Sequence, residues 1–303
     1  MPGITARLAI HGLIQGTMPK SPGVVRIAAL GDIHLGRAAY GPPVQTIFTD
    51  LTERADILVL CGDLTDRGEP DEGRQVAKAL AGLGLPIVAV LGNHDYESGQ
   101  APELKRILCE SGIQVLDGDA IELHGVGFAG VKGFAGGFGR RALGPWGEEI
   151  IKLFVREAVN EALKLETALS RLRTERKIAV LHYSPIAGTV QGEPAEIYPY
   201  LGSSRLEEPL TRYPVDCVFH GHAHHGTLEG RTLGGVPVYN VSLSLLQQHY
   251  PSGPLYRIVE VDTGTPARPS GAGPDDGRED RRRTEQPDRR GTSSGVRPAP
   301  TQH

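Results

Sequence analysis

The chain has 303 residues, 39% of them hydrophobic, and a formal net charge of −4. That is enough for one large buried core, and the mildly acidic balance gives no general attraction to nucleic acid or to an anionic membrane. Cys61, Cys109 and Cys217 cannot all pair within one chain, and Cys61 and Cys217 lie in apolar runs, which favours a reducing cytosol over a disulfide framework.

No apolar stretch approaches the length of a bilayer span, and the first twenty residues, with Arg7 and a broken apolar run, do not read as a secretory signal. Residues 1–24 are expected to be an N-terminal extension, partly disordered; Met18 precedes a more typical lead-in and marks a possible alternative start. From residue 25 onward, strand-like and helix-like stretches alternate, which predicts βαβ units and an α/β core. Ile27 to Leu30, Ile57 to Leu60 and Ile87 to Leu91 are short apolar runs typical of buried strands. Between them, 42–54 and 71–83 have helical spacing, the second with Val76, Ala79, Leu80 and Leu83 on one face. A third helix is expected over 102–109, and 121–123 with 126–129 read as a pair of short strands. The glycine-rich stretch 130–147 reads as a mobile rim. Its Gly137-x-Gly139-x-x-Ala142 imitates a dinucleotide fingerprint but runs into Gly144-Pro145 instead of a helix start. The longest helix is predicted over 148–173, with Ile151, Phe154, Val155, Ala158, Ala162, Leu165, Leu169 and Leu172 on its buried face. Ile178 to Leu181 and Val215 to Phe219 return to strand. One domain over 25–263 is expected. A tail over 264–303, crowded with Pro, Gly, Ser, Arg and Asp, is read as disordered, its Arg281-Arg282-Arg283 interleaved with acids as a solvated charge mixture.

The apolar runs end in groups that bind metals: Asp32-Ile33-His34, Gly62-Asp63, Gly92-Asn93-His94-Asp95, His182 and Gly221-His222-Ala223-His224. The carboxyl ends of strands in α/β proteins are where loops gather functional groups, so these residues are expected to converge in space. Singly each motif is weak, since an Asp-x-His triplet is often a surface loop or helix cap and a lone histidine is often a satisfied core residue. Jointly they describe a two-metal site. Carboxylates, imidazoles and one amide oxygen suit Mn, Fe or Zn, whereas an all-oxygen set would suit Mg or Ca.

The ordered set D-x-H, G-D-x-x-D, G-N-H-[DE], H and G-H-x-H resembles the calcineurin-like metallophosphoesterase family over roughly residues 25 to 245. The resemblance implies a four-layer α/β/β/α sandwich of two mixed sheets and a binuclear-metal phosphoesterase. By it, Asp32, His34 and His224 hold one divalent ion, Asn93, His182 and His222 hold the second, and Asp63 bridges them. It implies in-line attack of a metal-bound hydroxide on phosphorus, with His94 as general acid and Asp66 orienting His94; Asp95 is the lesser candidate for that orientation. His220 and His225 fall outside the G-H-x-H frame and read as groups that fix ligand orientation.

The string Asp66-Arg67-Gly68 is similar to one in Ser/Thr protein phosphatases, where the arginine grips phosphate, so Arg67 is a candidate substrate contact together with Asn93. Asp95 stands where those phosphatases carry Glu, and Gly221-His222-Ala223-His224 is similar to the class III cyclic-nucleotide phosphodiesterase-like branch. A small-molecule phosphodiester is therefore the expected substrate. Phosphomonoesterase or protein-phosphatase activity on the same site is the alternative, and a catalytically inactive binding scaffold is the alternative of a different class. Lys132, Arg140 and Arg141, on the glycine-rich stretch, are expected to bind substrate phosphate or to close over the site. The sequence shows no sustained basic stripe of a nuclease.

Overall fold

A computed structural model of the chain describes residues 23–36 and 44–264. Most of the expected extension and tail therefore lies outside the described residues; Val24 already belongs to the first strand. In chain order the elements are β1 (Val24–Leu30), α1 (Val44–Ile47), α2 (Leu51–Arg54), β2 (Ile57–Cys61), α3 (Pro70–Leu80), β3 (Ile87–Val90), α4 (Ala101–Glu110), β4 (Gln114–Val115), β5 (Asp119–Leu123) and β6 (Val126–Val131). The second half continues with α5 (Glu149–Arg171), β7 (Arg176–Leu181), α6 (Tyr198–Leu201), α7 (Glu207–Arg212), β8 (Cys217–His220), β9 (Glu229–Arg231), β10 (Pro237–Asn240), α8 (Leu243–His249) and β11 (Arg257–Asp262).

The strands form two sheets, ordered β11-β1-β2-β3-β4 and β5-β6-β7-β8-β10-β9. Strands β1 to β4 run parallel, as do β6, β7, β8 and β10, while β11, β5 and β9 pair antiparallel at edges. Parallel strands covered on both faces need apolar residues on both faces, and every residue of β2 and β3 is buried. The alternation of side chains along a strand divides the second sheet cleanly. Ile178, Val180, Cys217, Phe219, Val126 and Phe128 join the core shared with the first sheet. Ala129, Val131, Ala179, Leu181 and Val218 face the other way, onto Leu165, Ala168 and Leu169 of α5 and Leu210 of α7. On the far side of the first sheet, Val76 and Leu80 of α3 and Leu104 and Leu108 of α4 complete the shared core. The result is the four-layer α/β/β/α sandwich of two mixed sheets.

Two expectations change. Where one helix over 42–54 was predicted, the described residues carry the four-residue helices α1 and α2 with a turn between them. Asp50 in that turn accepts hydrogen bonds from the Tyr256 hydroxyl at 2.6 Å and the Arg54 guanidinium at 2.9 Å, tying the turn to the segment that leads into β11. The glycine-rich stretch, predicted mobile, is anchored. Gly136 and Gly137 donate to the carbonyls of Pro199 and Gly202 at 2.7 and 2.8 Å, Ser204 donates to that of Gly137 at 3.1 Å, and Gly133 donates to buried Glu161 at 2.8 Å. In the β5–β6 hairpin, His124 and Gly125 have φ of 50° and 80°, the paired positive values of a tight two-residue turn. Among the described residues no helix is long and apolar enough to cross a membrane.

Candidate metal centre

Every motif residue sits just past the carboxyl end of a parallel strand: Asp32 and His34 after β1, Asp63 after β2, Asn93 after β3, His182 after β7, and His222 and His224 after β8. Backbone bonds lash these loops together, with Asp32 N–H donating to Gly62 O at 2.9 Å, His34 N–H to Asp63 O at 3.0 Å, and Gly221 N–H to His182 O at 3.2 Å. Asp32, His34, Asp63 and His222 all have positive φ, from 45° to 70°. Non-glycine residues rarely adopt this left-handed conformation, and its concentration in four motif residues is backbone strain held by the surrounding packing. Glycine permits the close approach of the loops: a Cβ on Gly92 would lie 2.1 Å from Asp63 Oδ1, and one on Gly221 2.2 Å from Asp32 Oδ2.

Three groups of potential ligands result, in each of which one ligand atom per residue lies within 4.8 Å of the others: Asp32 with His34 and His224, Asp63 with His182 and His222, and His34 with Asp66 and His94. The first two, called the ligand groups below, draw on both sheets, while the third follows β1, β2 and β3 of one sheet. His224 Nε2 is 3.0 Å from Asp32 Oδ1, and the His222 N–H is 3.0 Å from both Asp32 oxygens. His182 Nδ1 lies 2.9 Å from the Cys61 carbonyl, so the proton belongs on Nδ1. Its Nε2 then carries the lone pair and faces Asn93 Oδ1 at 2.8 Å and Asp63 Oδ1 at 3.4 Å, two oxygens that cannot donate to it. His222 Nε2 is 3.1 Å from the Tyr200 carbonyl, which assigns its lone pair to Nδ1.

Burial shapes the charges. Burial pushes His34 and His222 down to about 4 and His182 well below the usual histidine range, so all three imidazoles are neutral at neutral pH, the form that ligates a metal. Burial, with the carboxylates of Asp32 and Asp95 beside it, pushes Asp63 well up. Asp32 is also buried, but the hydrogen bond from His224 and the neighbouring imidazoles hold its carboxyl well below the usual range. Buried carboxylates and lone pairs crowded together in this way are stabilised by cations. His34 adds a direct test of fit: it is buried, yet neither ring nitrogen has a hydrogen-bond partner. Buried polar atoms without partners are rare and costly, and a divalent ion among these donors would satisfy the ring nitrogen that carries the lone pair.

The other predicted residues divide. His94 is at the site: its N–H donates to Asp63 Oδ1 at 2.9 Å, its Nδ1 lies 2.8 Å from the Asp66 carbonyl oxygen, and its ring packs edge to face on His34. The Asp66 carboxylate faces His34, with Oδ1 3.9 Å from Nδ1, and Arg67 Nε approaches its other oxygen at 4.0 Å. The Arg67 side chain is 69% exposed. Lys132 is close but covered, its ammonium 4.8–5.4 Å from the ring centroids of Phe134, Tyr96 and Tyr183 and donating to the Gly133 carbonyl. Arg140 and Arg141 stand exposed on a single 3-10 turn. His220 is buried between Thr189 Oγ1 and the Gly221 carbonyl, each at 2.8 Å, and His225 is exposed. Sequence reasoning missed the carbonyls of Cys61 and Tyr200, which no residue type signals, and the role of Asp95. That carboxylate is buried and accepts from Leu64, Thr65 and Gly92 N–H groups and from the Thr65 hydroxyl, fastening the β2 and β3 loops.

Comparison with known proteins gives the same picture. A "Transmembrane protein with metallophosphoesterase domain" from Danio rerio is 24% identical over 85% of this chain, which spans 54% of that protein. A "Probable cyclic nucleotide phosphodiesterase" from Synechococcus is 35% identical over 23% of this chain and 31% of its own length. The chain thus spans about half or less of these curated relatives. The crystal structure of phosphopantetheinyl hydrolase from Mycobacterium tuberculosis superposes with a TM-score of 0.56 at 16% identity, covering 84% of this chain and 100% of that one, a likeness of fold. The family model for the calcineurin-like phosphoesterases matches residues 25–226, the stretch that supplies every residue of both ligand groups. The chain belongs to the calcineurin-like phosphoesterase family.

Proposed function

We propose that the chain hydrolyses a small-molecule phosphodiester at a site holding two divalent ions of Mn, Fe or Zn. Asp32, His34 and His224 hold one ion, Asn93, His182 and His222 the other, and Asp63 is shared. The observation that carries this reading is the position of the Asp63 carboxylate: Oδ2 lies 3.8 Å from His34 Nε2 and Oδ1 lies 3.4 Å from His182 Nε2, one oxygen toward each ligand group. When bound, the ions supply charge neutralisation at the phosphate and activation of the attacking water.

The protein's own groups do the rest. With Nδ1–H directed to the Asp66 carbonyl, Nε2 is the ring atom left to face the leaving oxygen, and it acts as the proton donor in the doubly protonated imidazolium form of His94. The attacking water oxygen forms the new bond to phosphorus as one of its protons passes to solvent, the ester oxygen departs on the opposite side with its bonding pair, and His94 gives that oxygen its Nε2 proton and regains one from solvent. Exposed Arg67 binds a non-bridging oxygen, while Arg140 and Arg141, on an anchored stretch, are fixed outer contacts for a distal part of the substrate. Preference for a diester is supported by the covering of Lys132: with its ammonium enclosed by Tyr96, Phe134 and Tyr183, this lysine is not presented to the second charge of a monoester. Arg67 favours the second reading, a phosphomonoesterase. Rates on bis- and mono-nitrophenyl phosphate with the Mn-loaded protein decide between them; the diester is expected to be faster, and a faster monoester overturns the diester assignment. The free thiols of buried Cys61 and Cys217 support a reducing, cytoplasmic setting.

A further inference from the structure

Asp66 touches two imidazoles with two different atoms. Its backbone carbonyl receives His94 Nδ1 at 2.8 Å. Its carboxylate oxygen Oδ1 stands 3.9 Å from His34 Nδ1, on a ring that is 92% buried and has no hydrogen-bond partner on either nitrogen. His34 Nε2 points the opposite way, toward Asp63 Oδ2 at 3.8 Å. The rings of His34 and His94 meet edge to face with centroids 4.6 Å apart.

We infer that the Asp66 carboxylate is a positioning residue for His34, whereas His94 is held by the Asp66 main chain. The inference rests on the reading of His34 as a metal ligand. A carboxylate that accepts Nδ1–H fixes the tautomer of a ligating imidazole, aims its Nε2 lone pair at the metal and raises its basicity. Closing the gap from 3.9 Å to hydrogen-bond length takes a shift of about 1 Å in ring or carboxylate. The His94 Nδ1, in contrast, is already satisfied by a carbonyl that no side-chain substitution removes. Arg67 Nε approaches the other carboxylate oxygen at 4.0 Å, which leaves Oδ1 as the oxygen turned toward His34.

The test uses the full chain stripped of metal, as wild type, Asp66→Asn and Asp66→Glu, titrated calorimetrically with Mn(II) alone. Alkyl and nitrophenyl phosphodiesters are then assayed at saturating Mn(II). The expected result for Asp66→Asn is a loss of about 10–100-fold in affinity at one Mn(II) site, recovered in part by Asp66→Glu, with the ratio of alkyl to nitrophenyl kcat unchanged. Unchanged Mn(II) affinity together with a selective collapse of the alkyl rate would overturn the inference, since that pattern belongs to a carboxylate orienting His94. Melting curves of each variant separate a folding defect from a binding one, and Asp66→Glu carries the test if Asp66→Asn does not fold. Wild type that binds no Mn(II), or His34→Ala that binds Mn(II) as wild type does, overturns the underlying ligand assignment and is distinct from either result with Asp66.

Discussion

The N–H of His94 donates to Oδ1 of Asp63 at 2.9 Å, so the proposed proton donor hangs by its main chain from the carboxylate that joins the two ligand groups. Removing the ring leaves this bond in place. His94→Ala is therefore expected to keep its metal content, measured by elemental analysis, while kcat for alkyl phosphodiesters falls about 10²–10⁴-fold. The loss is expected to be much smaller for nitrophenyl esters, whose leaving oxygen needs no proton.

Asp63→Asn removes the shared carboxylate charge. Metal stoichiometry is expected to fall and hydrolysis to drop by on the order of 10³-fold, the scale of losing transition-state charge stabilisation. Chelator treatment should lower the melting temperature of the wild type, and added Mn(II) should restore it, because a ligand at a hundred times its dissociation constant stabilises by about 2.7 kcal/mol. The variant should lose most of this response; calorimetric melting with and without Mn(II) checks it.

Gly92→Ala places a Cβ 2.1 Å from Asp63 Oδ1 and 2.3 Å from Asp63 N. Neither atom can move without disturbing a strained, hydrogen-bonded loop. A stability loss of about 1–3 kcal/mol and a large loss of activity are expected. Gly82→Ala, where nothing lies within 4 Å of the added carbon, should stay within about 0.5 kcal/mol of wild type. Urea denaturation of the pair tests the contrast.

Asp50 is partly buried, which raises its pKa, but the Tyr256 hydroxyl and Arg54 guanidinium more than offset this and hold its carboxyl below the usual range. The ionised form is thus favoured in the folded protein. Its stabilisation is fully present above the unfolded carboxylate pKa of about 3.9 and fades as pH falls through the lower folded value. Asp50→Asn is expected to melt lower than wild type at neutral pH, with the difference shrinking as pH drops below about 4. Thermal melts of both proteins across this range would show it.

Much of the architecture was legible because the apolar runs before Asp63, Asn93 and His182 are short, bounded by glycine or polar residues and buried on both faces, as central parallel strands are. The long helix was legible from Val155, Ala158, Ala162, Leu165 and Leu169, all buried as expected. Glu161 broke the pattern: it is 1% exposed and accepts from Gly133 N–H and Lys164, a tertiary use that periodicity does not register. Strand β11 owes its existence to pairing with β1 across more than two hundred residues, from Val24 with Asp262 to Ala29 with Arg257. The candidate ligands stood out in the sequence by their side-chain chemistry. Their supports did not, because carbonyls such as those of Cys61, Tyr200 and Asp66 belong to the backbone and any residue could supply them. The enclosure of Lys132 by Tyr96, Phe134 and Tyr183 was hidden for a related reason: three rings far apart in sequence meet only after folding.

Asp32, His34 and Asp63 descend from one sheet and His182, His222 and His224 from the other, so neither ligand group could be assembled by a single half of the sandwich. The distance across each group is a gauge of how the two sheets lie against one another. A slide between them of the size of a misfit side chain would pull both groups apart together. Interior residues such as Phe128 and Phe219, wholly buried in the shared core, therefore set the spacing within both groups from a distance, and ions held as proposed would act as a rivet through both sheets.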